Sequence, residues 1–270
     1  MSRYRGSPRV RLVAASPAYF VLVPSRPNSP PAGTVSVPRA LSKLGACSRA
    51  EGVRLVESGR VKVNGRVVRD VSMRINPERD VIEVDSAAVV RAERVYLALN
   101  KPRGLVTTRD DPQGRATIYE CLADAALPFV APVGRLDKAS EGLILLTNDS
   151  RWSAKLLAPE SHVEKVYHVQ VKGLVDADVV ARIAAGVTEQ ASGERLDVVR
   201  ASLLRVGSRS SAWVEVVLDE GKNRHIRRLL SELGIEVLRL IRIAIGPLTL
   251  GTLPKGEWRM LTSEEVRALS

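Results

Sequence analysis

The hydrophobic pattern becomes regular at Pro38 and predicts two short helices. Pro38 suits a first helical turn, and the apolar face of this helix ends at Gly45. Ser48 and Glu51 have the spacing of a capping box, so a second helix is expected directly after Ser48, ending at Gly59. The inward-facing positions of the two helices are predicted to be Leu41, Leu44, Val53 and Val56.

The next segment alternates between apolar and polar residues and predicts a β-hairpin. Residues 61–68 alternate around Asn64 and Gly65, a pair typical of two-residue hairpin turns. A third apolar segment over 81–84 is a predicted strand that closes this unit. We therefore expect a small domain of two helices followed by a hairpin and one more strand.

The rest of the chain predicts a larger domain of mixed, largely antiparallel sheet with helices. A helix is expected from an N-cap at Asn223 to Gly234, with a core stripe on one side. Apolar or alternating segments predict strands over 96–100, 143–147, 166–171, 201–205, 213–218 and 237–245. The predicted fold class is α+β, in four parts: an extension at 1–36, a small domain at 37–86, a linker at 87–94 and a large domain at 95–270.

Positive charge is concentrated in the first third of the chain. The protein of 270 residues carries a formal net charge of +11 and has a pI near 10.1. Residues 1–90 hold 15 Lys and Arg against 7 Asp and Glu, whereas the other 180 residues hold 26 against 23. This distribution points to an anionic partner that the front of the chain contacts.

Composition argues against several other classes of protein. Two cysteines, Cys47 and Cys121, are too few for a disulfide scaffold and cannot supply a structural zinc site by themselves. No apolar run approaches 18 residues, so we expect no membrane-spanning helix and no membrane partner. No credible cluster of metal ligands stands out in the sequence either, so we expect no metal site.

The predicted extension is basic, and the first acidic residue of the chain is Glu51. We interpret residues 1–36 as a flexible basic arm or a start-codon artefact, with 24–36 as a linker. The composition, rich in arginine and serine, leaves an organelle transit peptide as an alternative. A secretory signal is disfavoured because Pro17 interrupts the apolar stretch.

A cluster of cations in the small domain predicts contacts with phosphates. Six basic residues lie within 24 positions with few acids between them, namely Arg39, Lys43, Arg49, Arg54, Arg60 and Lys62. Such a cluster favours RNA or DNA contacts that weaken with salt, although the same charges could simply solvate a small fold. Residues 39–51 and 59–65 resemble the alpha-L RNA-binding fold named after ribosomal protein S-four. The resemblance implies structured RNA as the partner and adds Ser48 and Asn64 to the expected RNA contacts.

Three segments of the large domain carry residues suited to chemistry on a nucleotide. Asp137 lies in a loop flanked by glycines before a buried strand, where a carboxylate can reach a cleft, although such residues are commonly solvated. Lys165 and Tyr167 share one strand face and could offer a cation and a stacking surface, or simply pack there. Arg227 lies beside the core stripe of the predicted helix, at a cleft edge. We expect Arg224 and Arg228 to face solvent or RNA.

Five blocks of the large domain are similar, in order, to the RsuA-type ribosomal RNA pseudouridine synthases. They are residues 99–104, 134–149, 164–167, 221–228 and 245–247. The resemblance implies that a uridine is isomerised to pseudouridine without cofactor or metal, after the base has flipped out of the RNA. It implies Asp137 as the essential carboxylate, Arg227 as its partner and Tyr167 as the residue that stacks on uracil. Lys165 and Arg135 are expected to contact RNA or order the loop, and His225 departs from a more usual Gln.

Several points stay open at this level. Asp137 could attack C1′ as a nucleophile or remove the 2′-proton as a base. The target uridine could lie in either ribosomal subunit RNA, with the large subunit preferred, and we expect a cytoplasmic monomer. A non-catalytic RNA-binding assembly factor with the same fold is the main alternative. A DNA-binding regulator is disfavoured because the paired helices run straight into a hairpin.

Overall fold

The small N-terminal domain contains the predicted helices and hairpin. The computed structural model describes residues 33–208 and 210–270, so most of the predicted extension lies outside the described residues. The elements of this domain are β1 (Val35–Ser36), α1 (Val37–Lys43), α2 (Arg49–Glu57), β2 (Val61–Val63), β3 (Arg66–Val68), β4 (Arg74–Ile75), β5 (Ile82–Val84) and β6 (Ala87–Ala88). The Ser48 hydroxyl caps α2 by accepting a hydrogen bond from the Glu51 N–H at 3.1 Å, one of the two bonds of the predicted capping box.

The hairpin turn between β2 and β3 has the geometry that its sequence predicts. Asn64 and Gly65 have φ values of 51° and 78°, and a type I′ turn requires positive φ at both central residues. Strands β3, β2, β5 and β6 form an antiparallel sheet in that order, and the helices pack over it. The core of the domain includes the fully buried Val37, Ala40, Leu41, Val56 and Val61.

Two short strands extend the small domain beyond its predicted boundaries. β1 falls at the end of the predicted extension and pairs with β4. β6 falls in the predicted linker and pairs with β5, and the Val89 N–H continues this pairing by donating to the Ile82 carbonyl at 2.8 Å. Segments of two residues are too short to show a hydrophobic period, which is why the boundaries differ.

The large domain is built on a mixed sheet, as predicted. Its strands are β7 (Tyr96–Lys101), β8 (Ala131–Val133), β9 (Glu141–Thr147), β10 (Lys165–Lys172), β11 (Val187–Thr188), β12 (Arg195–Leu196), β13 (Arg200–Ser208), β14 (Ser211–Leu218), β15 (Val237–Ile245), β16 (Leu248–Thr249) and β17 (Trp258–Met260). The main order is β13-β14-β10-β15-β9-β7-β17, while β11 pairs with β12 separately. Among the strand pairs of the described residues, only β9 and β15 are parallel. The α+β class with a largely antiparallel sheet is confirmed.

The central strand β9 is buried on both faces, as its continuous apolar run predicts. Leu143 and Leu145 pack on one face with Trp152, whereas Ile144 and Leu146 pack on the other. The helices that cover the sheet are α3 (Ser150–Leu157), α4 (Ala177–Ala184), α5 (His225–Glu232) and α6 (Ser263–Ala268), with 3-10 turns at Ile118–Leu122 and Pro159–Ser161. No helix in the described part of the chain is long and apolar enough to cross a membrane.

The two domains contact each other through the turn between α1 and α2. The Ala92 N–H donates to the Leu44 carbonyl at 2.9 Å, and the Phe129 N–H donates to the Gly45 carbonyl at 3.2 Å. An exposed ion pair joins Arg54 of α2 to Asp110 in the loop after β7, with 2.7 Å between nitrogen and oxygen. The cation cluster is therefore attached to the large domain through backbone contacts.

Candidate active site

Asp137 lies on a loop between β8 and β9, and hydrogen bonds to the backbone carbonyls of this loop hold it in place. Each carbonyl from Leu136 to Ser140 accepts a hydrogen bond from a group outside those five residues. The donors, in that order, are Thr107 Oγ1, Lys101 Nζ, the Gly104 N–H, Arg227 Nη2 and again Lys101 Nζ. Because the backbone is fixed in this way, the Asp137 carboxylate, whose side chain is 32% exposed, projects from a fixed support.

Lys101 is the central donor to this loop. Its side chain is fully buried, and Nζ lies 2.7 Å from the Ser140 carbonyl, 3.1 Å from the Asp137 carbonyl and 3.2 Å from the Pro102 carbonyl. Burial lowers the pKa of Lys101 to about 8, while the nearby negative charges of Asp137 and Glu141 act in the opposite direction. The residue belongs to a matched sequence block, but a lysine next to a turn gave no signal that it is buried.

The loop leads into β9 at a place where two backbones come unusually close. Gly142 has a φ of 101°, and a Cβ atom there would overlap the backbone carbonyl of Arg242 on β15. Only glycine combines this φ with such an approach. The parallel pairing of β9 with β15 therefore fixes the position at which the Asp137 loop ends and β9 begins.

One cleft brings the predicted catalytic residues together. Asp137 lines this cleft with Tyr167 of β10 and with Arg227 of α5. The remaining walls come from the Asp137 loop, the segment before α5 and apolar residues of the sheet, including Arg135, Ser140, Leu218, Ile226 and Leu240. An aromatic ring, a carboxylate and a guanidinium thus face one small space beside an apolar floor.

The arginine that forms an ion pair with Asp137 is Arg224 rather than Arg227. Arg224 is exposed, as predicted for a residue that faces solvent or RNA, and its Nη1 also lies 3.8 Å from Asp137 Oδ2. Arg227 Nη2 instead donates to the Ala139 carbonyl at 3.1 Å, and its buried Nε has no partner among the described residues. Burial, followed by the charge of Arg224, lowers the pKa of Arg227.

The start of α5 explains this difference. The N-cap is Arg224 with a left-handed φ of 50°, not Asn223, and no side chain caps the helix. Because the chain turns sharply there, the side chain of Arg224 points in a direction that a regular helical period does not give. Gly234 follows the helix with a φ of 72°, as predicted.

Two other residues of α5, Arg228 and His225, have different surroundings. Arg228 forms ion pairs with Glu189 at 2.5 Å and Glu194 at 2.6 Å, which corrects the expectation that it faces solvent or RNA. His225 is buried, and burial lowers its pKa. Its Nδ1 lies 3.4 Å from Glu220 Oε1.

Lys165 and Arg135 line a second cavity next to the first one. Lys165 Nζ donates to the Asp219 backbone carbonyl at 2.8 Å, and burial lowers the pKa of this lysine. Arg135 is exposed and borders both cavities. The strand face predicted for Lys165 and Tyr167 therefore faces cavities at this end and the core at Val169 and Val171.

The residues predicted to bind RNA in the small domain have different surroundings. Arg39 and Arg49 are exposed, and burial together with neighbouring arginines lowers the pKa of Lys43. Arg54 and Arg60 are exposed members of ion pairs, with Asp110 and Asp85 respectively. Lys62 Nζ lies 3.4 Å from the Ser86 hydroxyl, Ser48 caps α2, and Asn64 bonds Asp80 and the Val81 N–H.

The described residues contain no group of three or more His, Cys, Asp or Glu side chains that could hold a metal ion. The cleft itself offers the carboxylate, the ring and the guanidinium groups named above.

Comparison with known proteins identifies the class. Residues 95–232 match the RNA pseudouridylate synthase family, and residues 37–82 match the S4 domain. A protein of Aquifex aeolicus named as an uncharacterised RNA pseudouridine synthase is 38% identical over 236 residues, which cover 87% of this chain and 93% of that one. The ribosomal large subunit pseudouridine synthase B of Bacillus subtilis is 32% identical over 232 residues, covering 86% and 93%.

A solved structure has a similar fold. The crystal structure of a pseudouridylate synthase superposes with a TM-score of 0.61 at 29% sequence identity, covering 87% of this chain and all of the other. The chain belongs to the RNA pseudouridine synthase family and carries an S4 domain at its N-terminal side. It is an isomerase that acts on RNA, and the resemblance in the sequence is confirmed.

Proposed function

We propose that this protein converts one specific uridine of ribosomal RNA, in the large subunit, to pseudouridine with Asp137 as the essential carboxylate. The observation that carries the proposal is the cleft in which Asp137, Tyr167 and Arg227 meet over a loop with five bonded carbonyls. A protein that only binds RNA has no use for this combination of groups at one point. The large-subunit target is supported by the name of the Bacillus subtilis relative.

The reaction breaks the N1–C1′ bond of uridine, rotates the base and joins C5 to C1′. Asp137 either attacks C1′ or removes the 2′-proton, and both routes begin with the ionised carboxylate next to the ribose. Arg224, at 3.8 Å, orients that carboxylate through opposite charge. Tyr167 stacks on the uracil and is placed to assist removal of the C5 proton after the base has rejoined.

The target base must leave its stack to enter the cleft, and unstacking costs a few kcal/mol. Contacts between the S4 domain and the RNA backbone offset this cost. The expected contacts are Arg39, Lys43, Arg49, Arg54, Arg60 and Lys62, with Arg135 and Lys165 nearer the cleft. We propose that the protein acts as a monomer in the cytoplasm, on naked or partly assembled ribosomal RNA.

The chemistry can be tested directly by the release of tritium from C5. Transcripts of large- and small-subunit ribosomal RNA labelled with [5-³H]uridine are incubated with the wild-type protein and with Asp137→Asn. We expect about one equivalent of tritium per large-subunit transcript with wild type, and none with the variant. Binding of the transcript, measured by filter retention, should be nearly the same for both proteins.

Other outcomes separate the alternatives. Release from the small-subunit transcript alone would overturn the large-subunit target and keep the reaction. Tight binding without tritium release by the wild type would favour an RNA-binding assembly factor. Full activity of Asp137→Asn would contradict the role given to that carboxylate.

A further inference from the structure

A second, larger cavity adjoins the active-site cleft. It has a volume of about 450 Å³ and shares Tyr167, Arg135 and the segment 220–222 with the first cleft. One wall is apolar and is formed by Val133, Leu145, Leu156, Leu157 and Ile245. A chain that enters the first cleft therefore meets a second space that also borders Tyr167.

Arg242 lines this cavity and forms no ion pair with the residues that the structure describes. It lies on β15 directly opposite Tyr167 on β10, and only 6% of its surface is exposed. Its Nε donates to the Leu143 carbonyl at 2.7 Å, while Nη2 has no hydrogen-bond partner among the described residues. Burying an arginine while one of its N–H donors has no partner costs free energy, unless an acceptor or an anion binds that group.

Lys165 adds a second cation to the same cavity. Its hydrogen bond goes to the backbone carbonyl of Asp219, whereas the carboxylate of Asp219 lies 3.1 Å from His162 Nδ1 and acts on Lys165 as a nearby negative charge that partly offsets the lowering of its pKa. The other acid of the cavity, Glu220, forms an ion pair with Lys222 at 2.6 Å. Arg242 is close enough to lower the pKa of Lys165, an effect second only to burial.

These observations describe a place built for an anion beside an apolar wall. Two cations are held close together in a partly buried space, and each is bonded to carbonyl groups rather than to a carboxylate. Mutual repulsion and desolvation both oppose this arrangement, and one bound phosphate relieves both. A ribonucleotide supplies a phosphate and an apolar base face in one unit.

We propose that this second cavity binds the nucleotide next to the target uridine, with its phosphate on Lys165 and Arg242 and its base against Leu156, Leu157 and Ile245. The proposal rests on the proposed function, because it needs the target uridine in the first cleft. Tyr167 then separates two neighbouring nucleotides of one RNA strand. The subsite would add selectivity for the sequence or shape next to the target.

To test the subsite, a lysine is replaced by glutamine at one end of β10, and a lysine at the other end of the strand is replaced in the same way as a control. Lys165→Gln removes a subsite cation, and Lys172→Gln removes an exposed lysine that forms an ion pair with Glu236. For Lys165→Gln we expect kcat/KM for tritium release from ribosomal RNA to fall at least tenfold. The slope of log(kcat/KM) against log salt concentration should also become shallower by about 0.7, the value for one lost phosphate contact to single-stranded RNA. Lys172→Gln should change neither quantity.

A second measurement does not depend on turnover. The affinity of the wild-type protein for uridine and for uridylyl-(3′→5′)-uridine is measured by calorimetry, and the dinucleotide should bind at least tenfold more tightly. Both Lys165→Gln and Arg242→Gln should lose this gain while their affinity for uridine stays the same. If Arg242→Gln does not fold, as its thermal melt would show, Lys165→Gln alone decides.

The outcomes of the two measurements are distinguishable. If wild type releases tritium but Lys165→Gln keeps the full salt slope and the full dinucleotide gain, the subsite proposal is overturned and the proposed function stands. If wild type releases no tritium from any ribosomal transcript, the proposed function fails. In that case, a dinucleotide gain that depends on Lys165 would still support a nucleotide site in this cavity, and its absence would overturn it.

Discussion

At the scale of single residues, the sequence predicts the carboxylate of the site, Asp137, but it does not predict the residues that hold this carboxylate and its loop in place. Asp137 stands out because glycines flank its loop and a buried strand follows. Lys101 does not stand out, because its importance comes from three carbonyl groups that only the fold brings near Nζ. The contact of Arg224 with Asp137 is not predictable from the sequence for a different reason. The left-handed φ of Arg224 breaks the helical period from which the direction of its side chain would be inferred.

Replacing Lys101 should impair catalysis through the loop. In Lys101→Met the carbonyls of Asp137 and Ser140 lose their donor, so the free energy of unfolding should fall by about 1–3 kcal/mol. Chemical denaturation and tritium release measure the two effects, and kcat should fall more than KM rises. Lys172→Met is the control, because that lysine is exposed. Unchanged kcat in Lys101→Met would show that the loop needs no such support.

The lowered pKa of Lys101 predicts a pH dependence with opposite signs for activity and stability. Its pKa is about 8 in the folded protein against the ordinary lysine value of 10.5, so between these values the unfolded chain binds more protons. This residue's contribution to the free energy of unfolding therefore rises with pH across that window. The value of kcat should fall above about pH 8, because neutral Lys101 donates fewer hydrogen bonds to the loop.

A comparison of the wild-type protein with Lys101→Arg separates the titration of Lys101 from ionisation of the RNA. In Lys101→Arg the guanidinium keeps its proton, so the fall in kcat should move to higher pH on the same substrate. The pH profile of tritium release under saturating RNA gives the answer. Identical profiles for the two proteins would rule out Lys101 as the titrating group.

At the scale of elements, β9 shows what a pattern can and cannot specify. Its four consecutive apolar residues predict a strand buried on both faces, and both faces are covered by separate parts of the core. The partner of that strand is not predictable from the same pattern. The parallel pairing with β15 depends on Gly142, which lets the Arg242 backbone approach more closely than any side chain allows.

Substituting Gly142 should therefore destabilise the protein and separate β9 from β15 next to the Asp137 loop. Gly142→Ala combines a positive φ with an overlap against backbone, and we expect the free energy of unfolding to fall by at least about 2 kcal/mol. Gly173→Ala is the matched control, because Gly173 has a φ of 92° and no atom of the described residues lies within 4 Å of its missing Cβ. It should lose less stability and keep full activity. Equal losses in the two variants would mean that the close approach is unimportant.

At the scale of the whole molecule, the cluster of six cations lies in the small domain and the candidate active site lies in the large domain. The order of the two domains and the fold class follow from hydrophobic pattern and resemblance, while the strands β1 and β6 at the domain edges do not. The way in which the turn after α1 contacts the large domain also escapes sequence analysis, because it depends on single backbone hydrogen bonds such as that from Phe129 to Gly45.

This separation predicts that RNA affinity and turnover can be changed independently. Replacing Arg39, Lys43 and Arg49 by Gln together should weaken binding of ribosomal RNA, and the slope of log affinity against log salt should become shallower by about 2 to 3. With saturating RNA, kcat should stay within about twofold of wild type, since these residues do not line the cleft. Filter binding at several salt concentrations and tritium release measure the two quantities. A large loss of kcat with unchanged affinity would contradict the division between the domains.

The most direct test of the central claim is a map of pseudouridines in ribosomal RNA by carbodiimide labelling and primer extension. The map is compared among the wild-type strain, a strain that lacks this protein, and that strain supplied with wild-type protein or with Asp137→Asn. We predict that one site in the large-subunit RNA is lost on deletion, returns with the wild-type protein and does not return with Asp137→Asn. Retention of every pseudouridine in both subunits after deletion would contradict the assignment of ribosomal RNA as the substrate.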